Sequence, residues 1–187
     1  MNLPNKLTVL RVLMVPFFVL FALCEGIPQH FFWALLFFAG ASITDALDGH
    51  IARKNNLITD FGKFLDPLAD KILVMAALIC FVELRFASSV AVMIIIAREF
   101  MVTGLRLVAS ANVVIPAGIW GKLKTAFTMA AVVLILFMQG LSEAGFAFGG
   151  FDINIAGGIL VWIAAALTVI SGAQYLWAYR KYIDPKK

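Results

Sequence analysis

Charge is scarce in this chain. Asp, Glu, Lys and Arg make up 14% of its 187 residues, and 63% are hydrophobic. A soluble domain is about a quarter charged and about half apolar. That balance excludes a water-soluble globule and implies an integral membrane protein. Cysteine is scarce too. Cys24 and Cys80 both lie in apolar runs, so a thiolate metal cluster or disulfide framework is excluded and they read as small hydrophobes. No small-residue cleavage site follows the first apolar run, where Glu25-Gly26-Ile27-Pro28 reads as a loop, so no cleavable leader is expected. Nothing marks a second domain, a low-complexity run or a repeat, and residues 1–187 read as one domain. No nucleic-acid partner is expected.

What is present is six apolar segments, near Thr8–Cys24, Phe31–Ile51, Phe64–Val82, Val90–Ala109, Thr125–Leu141 and Ile155–Tyr179. A spanning helix needs about 20 mostly apolar residues, so several segments reach that length only if their polar ends are helical. The expected fold is all-α, a polytopic bundle of six transmembrane helices with a short N-terminal interfacial segment. Six spans put both termini on one side. With the termini cytoplasmic, every one of the 15 basic residues falls at an inner end except Arg85, outside, and Arg98, within a span. Glu25, Glu83, Glu143 and Asp152 fall at the outer ends. Cytoplasmic loops collect Lys and Arg, which fixes this orientation. Trp120 and Trp177 suit the inner interface and Trp33 the outer one. Lys181, Lys186 and Lys187 read as topology determinants near anionic headgroups.

Five of the 11 acidic residues crowd into Thr44–Lys71: Asp45, Asp48, Asp60, Asp66 and Asp70. At about 100° per residue, Asp45, Asp48, Gly49 and Ala52 form one helical stripe. Asp66 and Asp70 are one turn apart, with Pro67 expected in the first turn of the third helix. Four carboxylates repel one another unless a counter-ion gathers them. Two divalent cations, Mg²⁺ or Mn²⁺, are the simplest partner, since both favour carboxylate oxygen and bridge to phosphates. Arg53 offers a planar fork to a phosphate. Gly49, Ala52 and Gly62 remove bulk, so that a diphosphate could lie against the backbone. Small residues also serve close helix packing, but framed by aspartates the ligand reading is favoured.

The pattern D-x₂-D-G-x₂-A-R-x₈-G-x₃-D-x₃-D, from Asp45 to Asp70, resembles the CDP-alcohol phosphatidyltransferase signature at every fixed position. Three further blocks resemble the phosphatidylglycerophosphate synthase branch of that family: Asn2–Arg11, "REFMVTGLRLVAS" from Arg98 and "GKLKTAF" from Gly121. From about Thr128 onward no usable motif remains.

The resemblance implies transfer of the phosphatidyl group of CDP-diacylglycerol to sn-glycerol 3-phosphate, giving phosphatidylglycerophosphate and CMP. Carried over, Asp45, Asp48, Asp66 and Asp70 would hold the two metals. Asp70 would be the general base, although a pure ligand role stays open. Gly49, Ala52, Arg53 and Gly62 would face the CDP diphosphate. Asn5 would be a cytidine contact or a helix N-cap, and Thr8 would share the cytidine role. Arg11 would meet either the cytidine phosphate or a lipid headgroup. The acceptor's phosphate needs cations, and Arg98 and Arg106 lie at i and i+8 on one side of the fourth segment. A buried arginine in lipid needs a partner. Glu99 points roughly 100° away from it, and a glutamate on another helix is the alternative to acceptor binding. Lys122 and Lys124, at i and i+2, do not share a face, so at most one reaches the acceptor. The resemblance also suggests a homodimer among membrane lipids, in a bacterial cytoplasmic membrane, with the active site facing the cytoplasm.

Cardiolipin synthase and inositol-phosphate transferase chemistry are the nearest alternatives. A membrane prenyltransferase would show two separated aspartate clusters without the G-x-x-A-R insert. An ion-coupled transporter would often show repeated halves, and the C-terminal half has no second acidic motif.

Overall fold

The computed structural model describes residues 2–55, 60–109, 118–150 and 152–179. Side chains at 3–4, 46–55, 60–64, 66–67, 106–109 and 179 fall outside that description. Among the described residues six helices run in order: α1 Leu3–Leu23, α2 His30–Asn55, α3 Asp60–Glu83, α4 Ser89–Ala109, α5 Ile119–Glu143 and α6 Ile153–Tyr179. No strand occurs among the described residues. Within them, α1 from Asn5 to Leu23, α5, and α6 to Ala178 are long and apolar enough to cross a membrane, and α2 is apolar only from His30 to Asp45.

Several boundaries move from expectation. Residues 3–7 are not a separate segment but the first turns of α1, with Asn2 as its N-cap residue. Asn5 therefore lies inside the helix, and its N-cap reading is corrected. Pro4 sits in the first turn, where an absent amide costs nothing. α3 begins at Asp60 rather than near Phe64, so Pro67 lies inside it and not in its first turn. There the ring removes one amide bond to the carbonyl of residue 63.

The chain divides into two compact units. The first is Met1–Leu84 with Val132–Ile153. In it α1 packs on α2 and α3, and α2 touches α3. Buried positions on α1 recur at Asn5, Thr8, Arg11, Val15, Phe18 and Ala22, the three-and-four spacing of one helical face. Its N-terminal end is polar and its C-terminal part apolar. Phe18 meets Phe38 at a ring separation of 5.7 Å, and Ala22, Ala34, Ala41 and Ala77 are fully buried. Lipid tails are as apolar as these side chains, so close van der Waals contact holds such helices together, and small residues permit it. The end of α5 belongs here too: Glu143 accepts the backbone N–H groups of His30 at 3.2 Å and Phe31 at 3.4 Å. That carboxylate satisfies donors left open at the start of α2.

The second unit is Arg85–Ala131 with Asn154–Lys187. Its buried apolar residues include Val92, Ile95 and Val102 on α4, Ala131 on α5, and Val161, Ala164 and Ala165 on α6. The α6 face continues through Thr168, Ser171 and Tyr175. In the first unit, beyond the end of α5, Gly145, Gly149 and Gly150 take φ of 86°, 59° and 87°, a region that side chains strongly disfavour. Cys24 is exposed and Cys80 buried, both as free thiols.

Candidate active site

In the first unit the aspartate stretch begins where the apolar part of α2 ends. Asp45 and Asp48 lie on α2 with Gly49, Ala52 and Arg53, and Gly62, Asp66 and Asp70 lie on α3. Asp45 Oδ1 is 2.8 Å from Arg11 Nη1. Arg11 is fully buried, whereas 46% of the Asp45 side chain is exposed. The buried cation comes from α1, which places the polar end of the α1 face, Asn5, Thr8 and Arg11, beside the acidic end of α2. This corrects the headgroup reading of Arg11: a fully buried guanidinium paired with a carboxylate does not reach a lipid headgroup. Thr8 is fully buried and Asn5 is 7% exposed.

Asp70 is half-buried, between fully buried Ala69 and half-buried Lys71. Among the residues with described side chains no three potential metal ligands gather. Asp48 and Asp66, with Gly49, Ala52, Arg53, Gly62 and Arg106, lie outside that set and are placed by their helices alone. The donor set nevertheless suits a hard divalent cation. It is carboxylate oxygen throughout, on neighbouring turns of two helices that touch. Asp45 and Asp70 are both partly exposed, so neither is sealed in apolar packing.

In the second unit Arg98, Glu99 and Lys124 form a charged cluster. Arg98 Nη2 donates to Ser171 Oγ at 2.7 Å. Arg98 Nη1 lies 3.6 Å from Glu99 Oε1, and Lys124 Nζ pairs with the same oxygen. The expectation that Glu99 points away is thus corrected. Their Cα–Cβ directions diverge around α4, but two long side chains can curl back to one another. Arg98 lies beside its sequence neighbour. Lys124 is buried and Lys122 exposed, as two residues two apart on a helix should differ. Thr128 donates to the Lys124 carbonyl at 2.8 Å.

Sequence reasoning missed four participants: Arg11 as the partner of Asp45, Glu99 as the shared anion, and Ser171 and Gly172 beside Arg98. A lone arginine in an apolar run does signal a buried partner, but it does not say which one.

Residues 1–170 match the CDP-alcohol phosphatidyltransferase family. The chain is 43% identical to "CDP-diacylglycerol--glycerol-3-phosphate 3-phosphatidyltransferase" of Bacillus subtilis (strain 168), covering 93% of each chain. It is 39% identical to the protein of the same name from Rickettsia felis, covering 97% of each. To that of Haemophilus influenzae it is 38% identical, covering 94% of this chain and 91% of the relative. The aspartate pattern on α2 and α3 and this near full-length similarity agree: the chain belongs to the CDP-alcohol phosphatidyltransferase family.

Proposed function

We propose that the chain transfers the phosphatidyl group of CDP-diacylglycerol to sn-glycerol 3-phosphate, releasing CMP and forming phosphatidylglycerophosphate. The observation that carries this reading is the unbroken aspartate signature from Asp45 to Asp70 on α2 and α3. Similarity to bacterial transferases named for that reaction supports the choice of acceptor.

Asp45, Asp48, Asp66 and Asp70 would hold two divalent cations, Mg²⁺ or Mn²⁺. Bound there, such ions supply charge neutralisation on the diphosphate and make the attacked phosphorus more electrophilic. Asn5 and Thr8 contact the cytidine end, and Arg53 pairs with a phosphate oxygen. Gly49, Ala52 and Gly62 leave room for the diphosphate against the helix backbone. A free hydroxyl oxygen of glycerol 3-phosphate bonds to the phosphorus bearing diacylglycerol. The bond from that phosphorus to the CMP oxygen breaks, and the hydroxyl proton passes to the Asp70 carboxylate. Arg98, Arg106 and one of Lys122 and Lys124 bind the acceptor's own phosphate. Buried Lys124 is favoured over exposed Lys122, because a desolvated charge acts more strongly.

The same reading takes residues 1–187 as one functional domain with six membrane spans and both termini cytoplasmic. The active site then opens to the cytoplasmic side of a bacterial membrane, and the chain works as a homodimer among membrane lipids. The basic residues at the inner ends support that orientation. The test is CMP release by purified protein from CDP-diacylglycerol with a panel of alcohols. Glycerol 3-phosphate is the expected acceptor. Faster release with inositol phosphate, or with phosphatidylglycerol as cardiolipin synthesis requires, would overturn the acceptor while leaving the site in place.

A further inference from the structure

α6 lies in the part of the sequence that carries no motif, and Ser171 and Gly172 fall just past the residues matched to the family, 1–170. Yet these two residues sit against Arg98 of α4. Ser171 Oγ accepts from Arg98 Nη2 at 2.7 Å, and Ser171 is buried at 4% exposure. Gly172 lies along the stem of the same side chain. A Cβ at position 172 would stand 3.0 Å from Arg98 Cγ, 3.5 Å from Nε and 3.9 Å from Cδ. A methyl group there forces the stem to move by a few tenths of an ångström. One residue thus fixes the end of the guanidinium and the next leaves space for the chain that carries it.

The rest of the α6 face repeats the theme. Thr168, one turn earlier, is fully buried, and its Oγ1 has no hydrogen-bond partner among the described residues. A helix whose only task was to span lipid would gain nothing by burying hydroxyls inside the protein, since each costs free energy unless it is satisfied. Glu99 restrains the guanidinium at Nη1. It is the sequence neighbour of Arg98 on the same helix, so it cannot tie the guanidinium to α6. Ser171 and Gly172 supply that restraint.

We infer that Ser171 and Gly172 are positioning residues, which hold the Arg98 guanidinium where it meets the acceptor's phosphate and so set affinity for the phosphate-bearing alcohol. This inference rests on the acceptor role proposed for Arg98. A planar guanidinium binds phosphate well only when its fork is oriented, so loosening the seat weakens acceptor binding and leaves CDP-diacylglycerol binding alone.

The test is steady-state kinetics in detergent micelles with Mg²⁺, on the wild type, Ser171→Ala, Gly172→Ala, Arg98→Lys and the double variant Arg98→Lys/Ser171→Ala. Ser171→Ala should raise KM for glycerol 3-phosphate about tenfold, the order expected for a lost hydrogen bond to a charged group. Its KM for CDP-diacylglycerol should stay within about twofold of wild type. Gly172→Ala should change the same constant in the same direction. Arg98→Lys keeps a charge but removes the Nη2 that Ser171 accepts from, so Ser171→Ala should add less than about twofold in that background. Equal effects on both substrates, an effect on kcat alone, or a Ser171→Ala effect of the same size in the Arg98→Lys background overturns the inference. If the wild type releases CMP faster with a different phosphate-bearing alcohol, the proposed acceptor is wrong, and the same cycle run with that alcohol still decides the role of Ser171 and Gly172.

Discussion

Asp45 is given two tasks, and they can be separated by experiment. It neutralises Arg11, and it is a metal ligand in the proposed mechanism. Arg11 is fully buried, so its charge has little access to water. Two unit charges about 4 Å apart attract by about 4 kcal/mol at an effective dielectric near 20. Because 46% of the Asp45 side chain is exposed, solvent screens part of that, and about 2 kcal/mol of coupling is expected. Asp45→Asn removes the anion and leaves the guanidinium in place, so the protein should lose about 2 kcal/mol or somewhat more. Arg11→Met leaves a half-exposed carboxylate that water can solvate, so it should lose less. The double variant Arg11→Met/Asp45→Asn should recover most of the loss, since neither charge then remains.

Stability is read by titration from detergent into SDS micelles, following helix content. Turnover is read as CMP release on the same preparations. The expected pattern is recovery of stability in the double variant with no recovery of turnover, because the metal ligand is still missing. A coupling below about 0.5 kcal/mol would show that the 2.8 Å contact does not stabilise the fold. Turnover restored along with stability would refute the ligand role, leaving Asp45 as the counter-ion of Arg11 only.

Other outcomes follow from the same geometry. Arg106→Ala should raise KM for glycerol 3-phosphate about tenfold to a hundredfold, far more than KM for CDP-diacylglycerol, as loss of a charged hydrogen bond to phosphate implies; equal rises would remove Arg106 from the acceptor site. Asp70→Asn should lose about 10²–10⁴ in rate even at saturating Mg²⁺, as for a general base, whereas Asp48→Asn should recover in part; full rescue of Asp70→Asn by metal would reduce Asp70 to a ligand. Glu143→Gln should cost about 1 kcal/mol of stability, by weakening a charged cap on the start of α2, with both KM values unchanged; an altered KM for either substrate would show that the cap reaches the chemistry.

The features legible in the sequence were those set by local rules. The apolar runs mark where helices lie, because 3.6-residue geometry and span length act over neighbouring residues. The spacing of Asp45, Asp48, Asp66 and Asp70 could be read for the same reason, since each pair is fixed within about one turn of its own helix. Helix ends were less legible. Asp60–Lys63 has Phe61 as its one large apolar residue and gives no apolar run, yet it is helical, so Pro67 was placed a turn too early. Contacts between distant residues were not legible at all. Arg98 and Ser171 are 73 positions apart, and α6 is apolar around Ser171, so no period or motif links them. Glu99 was misread for a different reason. Direction around a helix describes Cβ, and the ends of arginine and glutamate side chains lie far enough beyond it to meet.

Arg11 and Arg98 show how differently a membrane protein can hold a charge. Arg11 is answered by an acid on another helix, so its ion pair ties α1 to α2 at the point where the aspartate signature starts. Arg98 is answered by its own neighbour Glu99, and that oxygen also takes Lys124. In the proposed mechanism the acceptor's phosphate dianion joins these three groups. An anion arriving there competes with Glu99 for both cations, so the hydroxyl of Ser171 and the open space at Gly172 matter more once it binds. They hold Arg98 by contacts that a phosphate does not displace. On the acceptor role proposed for Arg98, α6 contributes to acceptor recognition through a hydroxyl and a glycine, and a search of the sequence for Asp, Glu, Lys and Arg finds none between Ile153 and Tyr179.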